Sequence, residues 1–353
     1  MTSIQNNQIT KYKTPSIENA PAGYTSEFRD PYTFKYENSF YCLVGSQTED
    51  KVGALLLYKR DNLNAWKFQG KINLPDSITG FMIECPNISF VDGYVVLTFC
   101  PQGLDKNKLN YDNIYPNIAV IAEGINLENQ KLIGKTTFQL IDYGFDFYAS
   151  RTTVTPDDQH LMISWLGLPE LNYPTDKYGW AHCLSYVRSM HVENHHLYLY
   201  PCNEITGLRI NNQNDTPVLS EKEPNVYTLD NLTGATEISF LTALNKSSTL
   251  EISSHNDCSL KIILDNQNGT VTVLRHSPDA QVETRTTQFK VKENIEMRLF
   301  IDESVFECFI DKGYVNLSGR FFPSSSPNSI TLTSDSKNPK LKSWNLRRSN
   351  KEL

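Results

Sequence analysis

The chain has 353 residues, too many for one small core, and its 39% hydrophobic and 11% aromatic content is enough to fill real ones. A net charge of −7 with no basic stripe excludes the usual footprint of a nucleic-acid or anionic-membrane binder. Seven cysteines stand at 42, 85, 100, 183, 202, 258 and 308 without a C-x-x-C pair, so neither a disulfide framework nor a zinc site is indicated. No run approaches the roughly 18 apolar residues of a membrane span. The polar first residues, Met1-Thr2-Ser3-Ile4-Gln5-Asn6-Asn7, hold no apolar signal core. A reducing cytoplasm is the expected location.

Eighteen Tyr and seventeen Phe lean towards β structure. A short strand is predicted around residues 8–12, and then a proline-bearing loop to Gly23. Strands follow at 33–36, 40–45, 53–59 and 66–72, separated by turn-like segments such as Asp61-Asn62-Leu63-Asn64. The plan repeats at 87–91, 94–99, 118–123 and 136–140, and again at 147–155, 161–165, 183–191 and 196–201. Three units of four strands indicate blades of a β-propeller. The texture changes near Gln213: residues 219–227 read as a linker. Ten short alternating strands then run from 237 to 346, without helices, as in a β-sandwich. The expected fold is all-β, with residues 1–212 forming an incomplete propeller and 213–353 a C-terminal sandwich.

Three carboxylates share a phase in the repeat. Asp30, Glu84 and Asp146 each stand just before the first predicted strand of a unit, 54 and then 62 positions apart. First strands line the channel of a propeller, so equivalent positions are expected to converge on one pocket. Glu84 lies between the apolar run Phe81-Met82-Ile83 and Cys85-Pro86. A carboxylate partly desolvated in this way suits proton donation.

These residues carry a resemblance. Phe28-Arg29-Asp30-Pro31, Glu84-Cys85-Pro86 and Tyr143-Gly144-Phe145-Asp146-Phe147-Tyr148-Ala149 resemble motifs of the invertase and sucrose-6-phosphate hydrolase family, glycoside hydrolase family 32. Trp165-Leu166-Gly167-Leu168-Pro169-Glu170 and Gly179-Trp180-Ala181-His182-Cys183-Leu184 resemble its bacterial sucrose-6-phosphate hydrolase branch. In the sandwich, residues 299–307 and Arg320-Phe321-Phe322-Pro323 are also similar. The resemblance implies a five-bladed propeller followed by a sandwich, of which about three complete blades are present here. It implies cleavage of the fructosyl bond of sucrose 6-phosphate or sucrose by a retaining mechanism, with two carboxyl groups roughly 5–5.5 Å apart. It makes Glu84 the acid/base and Asp30 the transition-state stabiliser. Arg29, Cys85, Asp146, Tyr148 and Trp165 become substrate-binding or pocket residues. It implies no metal and no organic cofactor, and a small sugar as the one partner.

The departures from the family pattern are as definite as the matches. Its Trp-Met-Asn-Asp-Pro-Asn-Gly nucleophile motif does not occur, and Asn214-Asp215 and Asn256-Asp257 have no proline after the Asp. On the order of 100 residues, roughly two blades, are expected to be missing before Met1. The nucleophile would be missing with them, and the blade faces left exposed would favour association. A non-catalytic carbohydrate-binding or interaction remnant of such an enzyme is the alternative. Ala149-Ser150-Arg151-Thr152 stands in place of Ala-Pro-Gln-Thr, and Tyr115-Pro116-Asn117 in place of a Tyr-Gln-Ser-like segment.

Overall fold

The computed structural model describes residues 2–5, 8–11, 13–60, 65–109, 111–210, 218–230, 234–254, 257–277, 280–322 and 329–347. Tyr12, the predicted turn at 61–64, Asn214-Asp215, Asn256 and Pro323 lie outside the described residues. Packing divides the chain into two units, Met1–Leu140 with Ala149–Thr152, and Ile141–Tyr148 with Thr153–Leu353.

The first unit opens with a hairpin of β1 (Thr2–Gln5) and β2 (Gln8–Lys11). Two four-stranded antiparallel meanders follow. One orders β3 (Tyr24–Tyr36), β4 (Ser39–Thr48), β5 (Gly53–Arg60) and β6 (Lys67–Lys71). The other orders β7 (Met82–Val91), β8 (Tyr94–Gln102), β9 (Ile118–Asn126) and β10 (Lys131–Leu140). Central strands are buried along their length because both faces are covered, as residues 41–47 of β4 and 95–101 of β8 are. Edge strands alternate instead, as β3 does from Pro31 to Tyr36.

The second unit holds a third sheet and a sandwich. The sheet runs β11 (Phe147–Val154), β12 (His160–Leu166), β14 (Arg188–Glu193) and β15 (His196–Pro201), with the two-residue β13 (Cys183–Leu184) also on β12. Residues Ala149–Thr152 of β11 belong to the first unit. The sandwich has seven strands on one side: β16 (Val218–Glu223), β17 (Val226–Asp230), β19 (Ser247–Ser254), β20 (Asp257–Asp265), β21 (Thr270–Ser277), β22 (Ala280–Gln288) and β26 (Ser329–Ser334). Five lie on the other: β18 (Thr236–Ala243), β23 (Asn294–Asp302), β24 (Val305–Ile310), β25 (Val315–Arg320) and β27 (Lys342–Asn345). Their inner faces share one core, with Leu250, Ile262 and Val273 from the first sheet against Phe240, Leu299 and Phe306 from the second. The architecture is therefore all-β, successive blade-like meanders and then a sandwich. No helix among the described residues is long and apolar enough to cross a membrane.

Three sequence expectations are corrected. Residues 219–227 are not a linker but β16 and β17, a hairpin that joins the seven-stranded sheet through Tyr227↔Leu332 and Leu229↔Ile330. Pro224 marks its turn, where Asn225 takes φ 70°. Residues 183–191 are not one strand. Between β13 and β14 the Tyr186 amide donates to Oε1 of Glu307 at 2.6 Å, away from the ladder. Asp30 and Glu84 stand inside β3 and β7, not before them; Pro31 and Pro86 suggest strand boundaries but sit at bulges, which tolerate proline.

Candidate active site

The bulges make the site. Between Arg29 and Tyr32 in β3, and between Glu84 and Asn87 in β7, the ladder shifts by one residue. Such an insertion re-aims side chains that a regular pleat would send to opposite faces. Asp30 and Cys85 take φ of 58° and 49° there, and Ala149 in β11 takes 51°. Left-handed backbone at residues other than glycine costs about 1–3 kcal/mol and concentrates at functional sites. The common phase of the three first strands is therefore Asp30, Cys85 and Ala149, not Asp30, Glu84 and Asp146.

Gly45 lets the first two sheets approach. It pairs with Arg29 in β3, and a Cβ at Gly45 would lie 2.1 Å from the carbonyl oxygen of Ile83, the residue before Glu84. This close passage brings two distant motifs together. An Arg29 terminal nitrogen donates to Oε1 of Glu84 at 2.7 Å, and Gln102 donates to Oε2 at 3.0 Å. The Glu84 side chain is 15% exposed, so it is not sealed from solvent. Arg29 also pairs with Glu27. Across the same junction Oδ2 of Asp30 accepts the Cys85 amide at 2.9 Å and its thiol at 3.5 Å. Burial first, and then the negative charge of Asp30, pushes the Cys85 thiol up to about 12, so it is a neutral donor at physiological pH. Four of the sequence-derived residues thus form one cluster in the first unit.

Asn87, which sequence reasoning missed, fastens this cluster. Its amide donates to the Cys85 carbonyl and to the Ser150 carbonyl, each at 2.9 Å, and its oxygen accepts the Thr152 amide at 3.2 Å. Ser150 in turn donates to Asn117 at 3.2 Å. The two segments that depart from the family pattern are therefore hydrogen-bonded to each other.

The remaining candidates lie in the second unit. Asp146 is fully buried. Its Oδ1 accepts the Tyr173 hydroxyl at 2.7 Å, and its Oδ2 accepts Arg275 at 2.7 Å and the Arg320 amide at 2.8 Å. Tyr148 is also buried and meets Trp165 edge-on, with ring centroids 6.3 Å apart; Trp165 is half-buried and packs against His182. Gly144 keeps this stretch against β25, since a Cβ there would meet the Ser318 carbonyl oxygen at 1.9 Å. A cavity of about 310 Å³ in the same unit is lined by Trp180, Tyr186, Asp302 and Glu303 among others, and by none of the residues singled out from sequence as site residues.

Comparisons with known proteins place the chain in a family. The chain is 37% identical to the sucrose-6-phosphate hydrolase of Pediococcus pentosaceus, over 97% of this chain and 69% of the relative. It is 38% identical to that of Lactococcus lactis subsp. lactis, over 98% and 70%. Its fold is similar to that of sucrose-6-phosphate hydrolase from Lactobacillus gasseri, with a TM-score of 0.87, 33% identity and coverage of 98% and 71%. The Bombyx mori GH32 beta-fructofuranosidase gives 0.80 at 26% identity, with coverage of 96% and 70%, and has also been solved as a mutant in complex with sucrose. Residues 1–201 match the description "Glycosyl hydrolases family 32 N-terminal domain" and residues 204–347 match "Glycosyl hydrolases family 32 C terminal". With both parts matched and these motifs in place, the chain belongs to glycoside hydrolase family 32.

Proposed function

We propose that this glycoside hydrolase acts on the fructosyl bond of sucrose 6-phosphate or sucrose. The observation that carries the reading is the junction of Arg29, Asp30, Glu84 and Cys85, a half-buried acid beside a second carboxylate held in place by its own donors. In this reading Glu84 protonates the leaving glucosyl oxygen and later takes a proton from water. Gln102 and Arg29 orient it. Asp30, with Oδ2 engaged by Cys85, offers Oδ1 to sugar hydroxyls and to the charge developing on the fructosyl ring. Within the second unit, buried Asp146 and Tyr148 hold framework positions, and Trp165 is the one of the three that is not fully buried. No residue of this chain is assigned as the retaining nucleophile. The six cysteines described are free, which accords with a cytoplasmic location. Pairing of two copies through the first sheet, where Tyr24, Phe28 and Trp66 are themselves only partly buried and Phe68 is 40% exposed, belongs to the same proposal and is read by sedimentation.

Release of glucose 6-phosphate from sucrose 6-phosphate, followed with the wild type and Glu84→Gln, tests the reading. Turnover that Glu84→Gln reduces by about 10²–10⁴-fold is expected; turnover unaffected by the substitution removes Glu84 from its role. Saturable binding without turnover favours a carbohydrate-binding module, a reading supported by the state of the other carboxylates described in the cluster: Glu27 is paired with Arg29, and Asp30 has one oxygen already engaged by Cys85.

A further inference from the structure

Arg151 sits beside this site and does little for the fold. Its guanidinium makes one long hydrogen bond, 3.4 Å to the Pro86 carbonyl, and has no carboxylate partner among the described residues. An arginine carries five N–H donors in a rigid fork, and Arg151 leaves most of them unused. Arg29, by contrast, is committed to Glu27 and Glu84. The backbone on either side of Arg151 is fixed. Buried Asn87 binds the Ser150 carbonyl and the Thr152 amide while also holding the Cys85 carbonyl. One asparagine therefore sets where Arg151 stands relative to Cys85. Its positive charge acts on the Cys85 thiol against the pull of Asp30 and Glu84.

Electrostatics defines what such a residue can read. The cluster already contains Glu27, Asp30 and Glu84, so a dianion entering it meets repulsion unless a cation with free donors faces it. A neutral sugar needs no such cation. We propose that Arg151 is a specificity-determining residue that takes the phosphomonoester of a 6-phosphorylated sugar, making this site select sucrose 6-phosphate over sucrose. The inference rests on the function proposed above and adds the group that reads the phosphate. The planar fork suits two phosphate oxygens at once, where a lysine offers a point charge.

Titration calorimetry with sucrose 6-phosphate, sucrose, glucose 6-phosphate and inorganic phosphate, on wild type, Arg151→Gln and Arg151→Lys, tests this. The wild type is expected to favour sucrose 6-phosphate over sucrose, with an affinity that falls as salt rises. It should also strengthen as pH rises through about 6, where the phosphate takes its second charge. Arg151→Gln should lower the phosphorylated-to-unphosphorylated preference by about 10–100-fold, the equivalent of one charge-assisted contact, and Arg151→Lys by less. Glucose 6-phosphate should follow the same order, and inorganic phosphate binding alone would reduce the site to a simple anion site and overturn the specificity claim. A preference unchanged in Arg151→Gln, or both sugars weakened equally, overturns the inference while leaving the proposed function standing. Failure of the wild type to bind either sugar overturns both. Melting curves show whether each variant is folded, and Arg151→Lys keeps the test decisive if Arg151→Gln is not.

Discussion

Cys85 donates both its backbone N–H and its thiol to the same oxygen of Asp30, at 2.9 and 3.5 Å, across 55 residues of chain. The pair joins two bulges on neighbouring sheets, each with a left-handed residue at its centre. It explains why a cysteine follows the acid Glu84: the side chain needs a neutral donor short enough to fit the bulge. Cys85→Ser keeps a hydroxyl donor and should retain sugar affinity within about 2-fold, whereas Cys85→Ala leaves only the amide and should weaken it by about 3–10-fold. Calorimetry with sucrose or sucrose 6-phosphate decides; equal affinities for the two variants would remove the thiol from this role.

The raised thiols and phenols set the alkaline limit of stability. Burial pushes Cys42 up to about 11, and Cys85, Tyr58 and Tyr143 up to about 12. In the unfolded chain such groups ionise near their ordinary values, about 8.5 for Cys and about 10 for Tyr. The folded state then binds more protons than the unfolded one, so stability falls as pH rises. The contribution is complete below about pH 8.5 and is lost progressively up to about 12. Melting temperature should be level from pH 7 to 8 and fall beyond about 9, less steeply in Cys85→Ala. A level curve to pH 11 would contradict this sign.

Much of this was legible in the sequence, and what was not has a physical reason. Arg29, Asp30, Glu84 and Cys85 announce themselves because their chemistry is local, four residue types in two short motifs. Strand existence was also legible, since apolar runs of the right length bounded by turns survive tertiary context. The phase of the carboxylates is not legible because the prolines at the two bulges, Pro31 and Pro86, read equally well as strand boundaries: by backbone conformation Asp30 aligns with Cys85 and Ala149, not with Glu84 and Asp146. Gly45 and Asn87 were invisible for a related reason. Each is needed only because of a backbone far away, the Ile83 carbonyl in one case and the Ser150 and Thr152 peptides in the other. The hairpin of β16 and β17 reads as a linker in sequence because proline marks tight turns and linkers alike.

Gly45→Ala tests the close approach behind the site. The added methyl would lie 2.1 Å from the Ile83 carbonyl oxygen, and backbone cannot yield as a flexible side chain can. Separation of β4 from β7 should cost about 1–3 kcal/mol and loosen the Arg29–Glu84 pair, so sugar affinity and melting temperature fall together. Gly207→Ala is the control, since nothing lies within 4 Å of a Cβ there; its effect should stay within about 0.5 kcal/mol. Equal effects at the two positions would show that the approach carries no strain.

The second unit rests on a buried ion cluster that apolar patterning does not disclose. Arg188 is wholly buried and donates to Asp142 at 3.0 Å, Glu307 at 2.7 Å and Ser318 at 2.6 Å, with Phe147 and Phe309 rings against its guanidinium. Burial raises Glu307 above the usual carboxylate range, and the Arg188 charge opposes that rise. These contacts tie β14 of the third sheet to β24 and β25 of the sandwich, so the cluster fastens the unit internally. Removing the cation leaves two carboxylates without a counter-charge in a dry interior, a loss of about 3–5 kcal/mol. Arg188→Met should therefore lower the urea midpoint sharply. Arg188→Lys keeps the charge without the fork that reaches both acids, and should fall between wild type and Arg188→Met. Double substitution with Asp142→Asn tests coupling: if the acids are the reason for the loss, the two effects combine to less than their sum. Additive losses would mean that Arg188 acts through packing on Phe147 and Phe309 and not through its charge.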